Sequence, residues 1–140
     1  MTALVVDASV WVAAADATDP LSAASRRFLE AVAVQALPVA LPVLARIEVA
    51  CALARRLRDA PGARRIADGM VRSPFVREHM LDARMIDCTV AAGTDAFLRA
   101  ADAVYLALAR RLDAVVVTWD AELIRRAGAL TPEVWLARQG

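Results

Sequence analysis

The chain contains no lysine: all 17 of its basic residues are arginine. That absence excludes mechanisms built on a lysine amine: a P-loop, a Schiff-base enzyme, or a lysine-assisted phosphatase. Histidine occurs once, at His79, on a weakly strand-like segment far along the chain from any acidic motif, so it is expected to be structural or exposed. Cysteine occurs twice, at Cys51 and Cys88, with no CxxC spacing. Both lie in helix-like apolar segments, and free buried thiols in a reducing, cytoplasmic compartment are the expectation. The N-terminus lacks the basic start of a signal peptide and carries Asp7 early. The longest apolar run, residues 36–45, is short and broken by Pro38 and Pro42, so neither a membrane span nor a membrane partner is expected.

What is present is apolar. Hydrophobic residues make up 59% of 140 residues, and the mean hydropathy is +0.46. Such a chain suits one domain with a sizeable core. It also implies spare apolar surface for a partner or a second copy of itself. The net charge of +1 is nearly neutral.

Strand-like runs alternate with helix-like ones. Residues 4–6 read as a first strand, 37–41 as a second, 75–80 as a third, 114–118 as a fourth, and 134–136 as a closing fifth. Between them, helices are expected over residues 9–15, from Asp19-Pro20 onward, 43–58, 63–71, 85–92, 99–112 and 121–127. Residues 59–62 read as a turn, and 93–95 as a helix end or bend. The alternation implies one α/β domain, a three-layer sandwich around a mostly parallel sheet of four or five strands.

Four acids stand at strand ends or on helix rows that are otherwise apolar. Asp7 follows Leu4-Val5-Val6, and Asp120 follows Val115-Val116-Val117-Thr118. Parallel strands bring those two ends to the same carboxyl edge, where open α/β sheets bind ligands. Asp7 alone would serve equally well as a helix cap. Glu48 shares a helical row with Leu44, Cys51 and Ala52, and Asp102 with Tyr105, Leu106 and Ala109. A buried carboxylate needs a partner: Arg99 and Arg55 are in reach along the helices, or a metal ion would serve. Oxygen-only clusters favour hard cations such as Mg²⁺ or Mn²⁺.

The motifs V-V-D-A-S-V, R-I-E-V-A-C-A-L, R-A-A-D-A-V-Y-L-A-L-A and V-V-V-T-W-D-A-E-L follow one another with the spacing of PIN-domain proteins. Across essentially its whole length the chain resembles the VapC toxins of bacterial toxin–antitoxin pairs. The resemblance implies a PIN fold and a metal-dependent endoribonuclease, usually homodimeric, held inactive by a cognate antitoxin lying in a groove near the site. It places the family's acids on Asp7, Glu48, Asp102 and Asp120, its hydroxyl residue on Thr118, and a small polar position on Ser9. Asp7, Asp102 and Asp120 would hold one or two Mg²⁺ or Mn²⁺ ions, with Glu48 orienting or deprotonating a water. The family's substrates, tRNA or ribosomal RNA, would meet arginines; Arg55, Arg56, Arg58, Arg64, Arg65, Arg110 and Arg111 are the candidates.

Other readings compete. An aspartyl phosphatase fits Asp7 after a strand, but position 9 is serine rather than a second aspartate, and lysine is missing. A PIN-like module that binds RNA or antitoxin without catalysis is the alternative of a different class. Ser9 has no histidine or lysine base beside it and suits a hydroxyl contact or cap better than a nucleophile. Trp119 could stack on a base or pack; Trp11 suits the core, and Trp135 an interface or the sheet's closure.

Overall fold

The computed structural model describes residues 2–140. Along the chain lie β1 (Leu4–Val6), α1 (Ala8–Ala15), α2 (Ser22–Val34), β2 (Val39–Pro42), α3 (Val43–Leu57) and α4 (Ala60–Arg72). They are followed by β3 (Val76–His79), α5 (Ala83–Ala96), α6 (Ala100–Leu112), β4 (Val115–Val117), α7 (Ala121–Ala127) and α8 (Pro132–Gln139).

The four strands form one sheet in the order β3-β2-β1-β4, every neighbouring pair parallel. β1 and β4 are fully apolar, short and almost wholly buried, as expected of strands covered on both faces. β3, with Arg77 and Glu78, is the half-exposed edge. β2 lies on one side of β1 and β4 on the other, so the winding direction reverses between β1 and β4. A crevice opens at the carboxyl ends of the strands at such a switch point. Val6 pairs with Val117, which sets Asp7 beside Thr118.

α6 crosses the sheet and packs on β1, β2 and β4. Its residues from Asp102 to Ala109 are all buried. α5 packs along α6, and Gly93 makes the approach possible: a Cβ there would lie 2.7 Å from the Ala103 Cβ. α1 packs against α2 and α3, and α2 carries α8. Phe28 of α2 meets Trp135 of α8 edge to face, 5.1 Å between centroids at 89°, a contact worth about 0.5–1.5 kcal/mol beyond its burial.

Several sequence expectations need correction. No fifth strand forms at 134–136; those residues lie in α8. Thr131 caps that helix by accepting from the Val134 N–H at 3.1 Å, and Pro132 pre-sets its first turn. The sheet is instead extended by a single bridge, Val117 to Leu130. α2 starts at Ser22, because Asp16 and Asp19 spend their carbonyls and carboxylates on turns at Thr18, Asp19, Leu21 and Ser22. Asp59 caps the Gly62 N–H at 3.0 Å, so α4 begins at Ala60, within the expected turn. α5 runs through Gly93 and ends at Phe97 in the left-handed region, φ 55°. Neither cysteine is buried: Cys51 is exposed and Cys88 intermediate. Among the described residues no helix is long and apolar enough to cross a membrane.

Candidate active site

Asp7 both caps a helix and stands, buried, at the carboxyl end of β1. Its carboxylate accepts from the Ser9 N–H at 3.4 Å, at the start of α1, and its own N–H donates to the Val117 carbonyl at 2.9 Å. The same carboxylate oxygen, Oδ2, accepts from the Thr118 hydroxyl at 2.8 Å. Thr118 Oγ1 in turn accepts from the Asp120 N–H at 2.9 Å. Ser9 Oγ lies 3.4 Å from Thr118 Oγ1 and accepts from the Trp119 N–H at 3.1 Å. Both hydroxyls singled out by sequence thus lock the β1 end to the β4 end.

Asp120 caps α7: its Oδ1 accepts from the N–H groups of Glu122 at 2.8 Å and Leu123 at 3.2 Å. Its Oδ2 faces Arg99 Nη2 at 3.2 Å. Asp102 sits in the first turn of α6, where the helix dipole favours negative charge, and is only 8% exposed. Its Oδ2 lies 3.4 Å from the same Arg99 nitrogen. The Arg99–Asp102 pair is the one that their spacing suggested; the same guanidinium also reaches Asp120 and so bridges the two acids.

Glu48, half-buried on α3, is held by Tyr105 rather than by Arg55. The Tyr105 hydroxyl donates to Glu48 Oε1 at 2.6 Å and accepts from the Ala8 N–H at 3.3 Å. Tyr105 is the member of this cluster that sequence reasoning passed over. The signal was present: it is the chain's only tyrosine and stands one helical turn after Asp102 on the same row.

The electrostatics are those of a like-charge cluster. Burial raises the Glu48 carboxyl above its ordinary value; the Tyr105 hydrogen bond opposes this, and repulsion from Asp7 and Asp102 adds to it. Burial also raises Asp102, with repulsion from Asp120 and Asp7 adding and Arg99 opposing. Burial and the charges of Asp7 and Glu48 push the Tyr105 phenol far up, so it remains a protonated donor. The four acids thus form one like-charge cluster, in which Arg99 is the cation that lies against Asp102 and Asp120.

The donor set fits a hard divalent ion in its chemistry: carboxylates and hydroxyls, no sulfur, no imidazole, and mutual repulsion that a cation would relieve. Among the described residues no three acids, histidines or cysteines already stand together in a ligating arrangement. Arg99 lies against two of the acids instead.

The arginine candidates are dispersed. Arg55 and Arg56 line a groove of about 510 Å³ beside Ser9 and Glu48, with Ile47, Cys51 and Leu21 as its apolar wall. Arg56 is tied to Asp19 at 2.8 Å and Asp16 at 3.3 Å. Arg58 closes α3 in the left-handed region, φ 54°. Arg64 and Arg65 are exposed on α4. Arg110 and Arg111 occupy the last turn of α6, roughly 12 Å along the axis from Asp102. Asp113 ends α6 beyond them, and Asp95 is exposed near the end of α5. Trp119 lines the groove and donates to Ser25 Oγ at 2.8 Å. Trp11 packs half-buried against the core and donates to the Val6 carbonyl at 3.3 Å. His79 lies at the β3 edge, apart from the acids, with its imidazole pushed down by burial and by Arg77 and Arg111.

A model of the PIN domain matches residues 4–129. The chain is a PIN-domain protein. No protein of curated function matches it, but solved PIN-like structures do. VapC20 of Mycobacterium tuberculosis, a sarcin-ricin loop cleaving toxin, superposes with a TM-score of 0.75 at 21% identity, covering 91% of this chain and 96% of its own. A protein of Pyrobaculum aerophilum gives a TM-score of 0.71 at 25% identity, covering 98% of this chain and 88% of the other. A toxin–antitoxin complex from Klebsiella pneumoniae gives 0.66 at 16% identity, over 92% and 97% of the two chains. The PIN fold expected from the four motifs is the fold observed.

Proposed function

We propose that this PIN domain is a metal-dependent endoribonuclease of the cytoplasm, the toxin of a toxin–antitoxin pair. One observation carries the reading: Asp7, Glu48, Asp102 and Asp120 converge from the β1 end, α3, α6 and the β4 end, so that Asp7 and Asp102 act on the Glu48 carboxyl and Asp120 and Asp7 on that of Asp102. Structural capping explains Asp7 and Asp120 singly, but not two further acids buried against them. Family membership and the fold shared with toxins support the same reading.

In this reading Asp7, Asp102 and Asp120 hold Mg²⁺ or Mn²⁺. Such an ion lowers the pKa of water and offsets charge on a phosphodiester in the transition state. Thr118 fixes one oxygen of Asp7, and α7 fixes one oxygen of Asp120, so each presents its other oxygen in a set direction. Tyr105 holds one oxygen of Glu48, leaving the second to orient the attacking water and take its proton. The raised proton affinity of Glu48 makes it a stronger proton acceptor than an ordinary carboxylate.

The substrate is RNA, with tRNA and ribosomal RNA the candidates, its backbone met by Arg55 and others of the seven arginines named above. The groove beside Glu48 takes an apolar segment of the cognate antitoxin, and the chain pairs with a second copy of itself. RNA-end sequencing after brief expression of wild type and of Asp7→Asn tests the activity. New ends at defined positions with the wild type alone are expected; the same ends with both would refute it. The lack of a ready three-acid set favours one other reading, a PIN module that binds RNA or antitoxin without catalysis. Calorimetric titration with Mn²⁺ separates the two, since such a module binds none.

A further inference from the structure

Arg99 stands where α6 begins and contributes no side-chain cap to it. Its guanidinium does something else: one nitrogen lies 3.2 Å from Asp120 and 3.4 Å from Asp102. Asp102 has no other side-chain hydrogen-bond partner among the described residues. Yet the arginine is 75% exposed, while Asp102 is nearly covered. A buried acid needs a counter-charge, but ion pairs made by a long, solvated side chain are weak and readily exchanged. The neighbouring Arg126 is differently committed: it pairs with Glu122 and donates to the Phe97 carbonyl.

We propose that Arg99 is an internal counter-cation for Asp102 and Asp120, displaced when a divalent ion binds, and that it thereby sets the metal affinity of the site. The inference rests on the reading of these acids as a cation site. Arg99 spans two acids that would have to turn toward the ion, so binding must break both contacts. In the metal-free protein it limits repulsion between Asp102 and Asp120. Once displaced it remains tethered at the rim, close to where a phosphate would lie.

The test is Mn²⁺ binding to the purified chain, followed by the electron paramagnetic resonance signal of free Mn²⁺. Arg99→Gln should bind roughly three- to tenfold more tightly than wild type. Arg99→Lys, which keeps the charge but not the fork, should fall between them. Arg126→Gln removes the same charge nearby and should stay within about twofold of wild type. Cooperative melting of each variant establishes that it is folded, and Arg99→Met serves if Arg99→Gln is not. Unchanged or weaker binding by the neutral Arg99 variants overturns the proposal, as does an equal gain in Arg126→Gln. Absence of Mn²⁺ binding in wild type and every folded variant instead overturns the cation site itself.

Discussion

Tyr105 Oη donates to Glu48 Oε1 at 2.6 Å, and the same hydroxyl accepts the N–H of Ala8, the residue after Asp7. One phenol thus ties α3, α6 and the end of β1 into a single frame. Tyr105→Phe leaves a buried amide and a half-buried carboxylate without that partner. A loss of about 1–3 kcal/mol in stability is expected, read by urea denaturation. The hydrogen bond also opposes protonation of Glu48. Its removal should therefore move the acid limb of the cleavage pH profile to higher pH. An unmoved limb would separate Glu48 from the reaction.

Asp102 and Glu48 hold their protons more tightly in the folded chain than in the unfolded one. The stability they contribute is fully present below the ordinary carboxylate range and is lost as pH rises through their raised folded values. With metal removed by chelator, Asp102→Asn should melt a few degrees (about 2–5 °C) above wild type at pH 8. As the pH is lowered toward the ordinary carboxylate range and the wild-type acid takes up its proton, the margin should shrink. A variant that melts lower at pH 8 would mean that attraction to Arg99 outweighs burial and repulsion.

Two glycines within helices should respond oppositely to alanine. At Gly93 a Cβ meets the Ala103 Cβ at 2.7 Å, whereas at Gly69 nothing lies within 4 Å. Gly69→Ala should stabilise by about 0.5–1 kcal/mol through helix propensity. Gly93→Ala should destabilise, because separating α5 from α6 costs about 1–3 kcal/mol against that same gain. Thermal or urea melts of the two variants settle the signs.

Cys51 lies exposed on the wall of the groove beside Glu48, whereas Cys88 is partly covered. A maleimide should modify Cys51 rapidly and Cys88 slowly, as mass spectrometry of the digested protein would show. In Cys88→Ser, rapid labelling should persist; in Cys51→Ser it should vanish.

Much of this molecule is determined locally. The apolar runs at Leu4–Val6 and Val115–Val117, each ended by a polar residue, are strands because β-branched residues suit a pleat buried on both faces. Alternation with helices then dictates a parallel sheet. The four acids were legible because each breaks an apolar pattern. Boundaries were less so: side-chain caps at Asp59 and Thr131 started α4 early and made a helix of residues 134–136. Those outcomes depend on hydrogen bonds that composition does not reveal.

Only the tertiary structure decided how the acids are compensated. The placement of β4 beside β1 put Thr118 against Asp7, so that the first acid both caps α1 and is tied to the β4 end. Tyr105 reached Glu48 from 57 residues away, where helical spacing had offered Arg55. Arg99 reached Asp120 as well as Asp102, across 21 residues. Sequence spacing specifies which residues share a face; which faces meet is settled by packing, and in this PIN domain that packing turns four separate acids into one charged site.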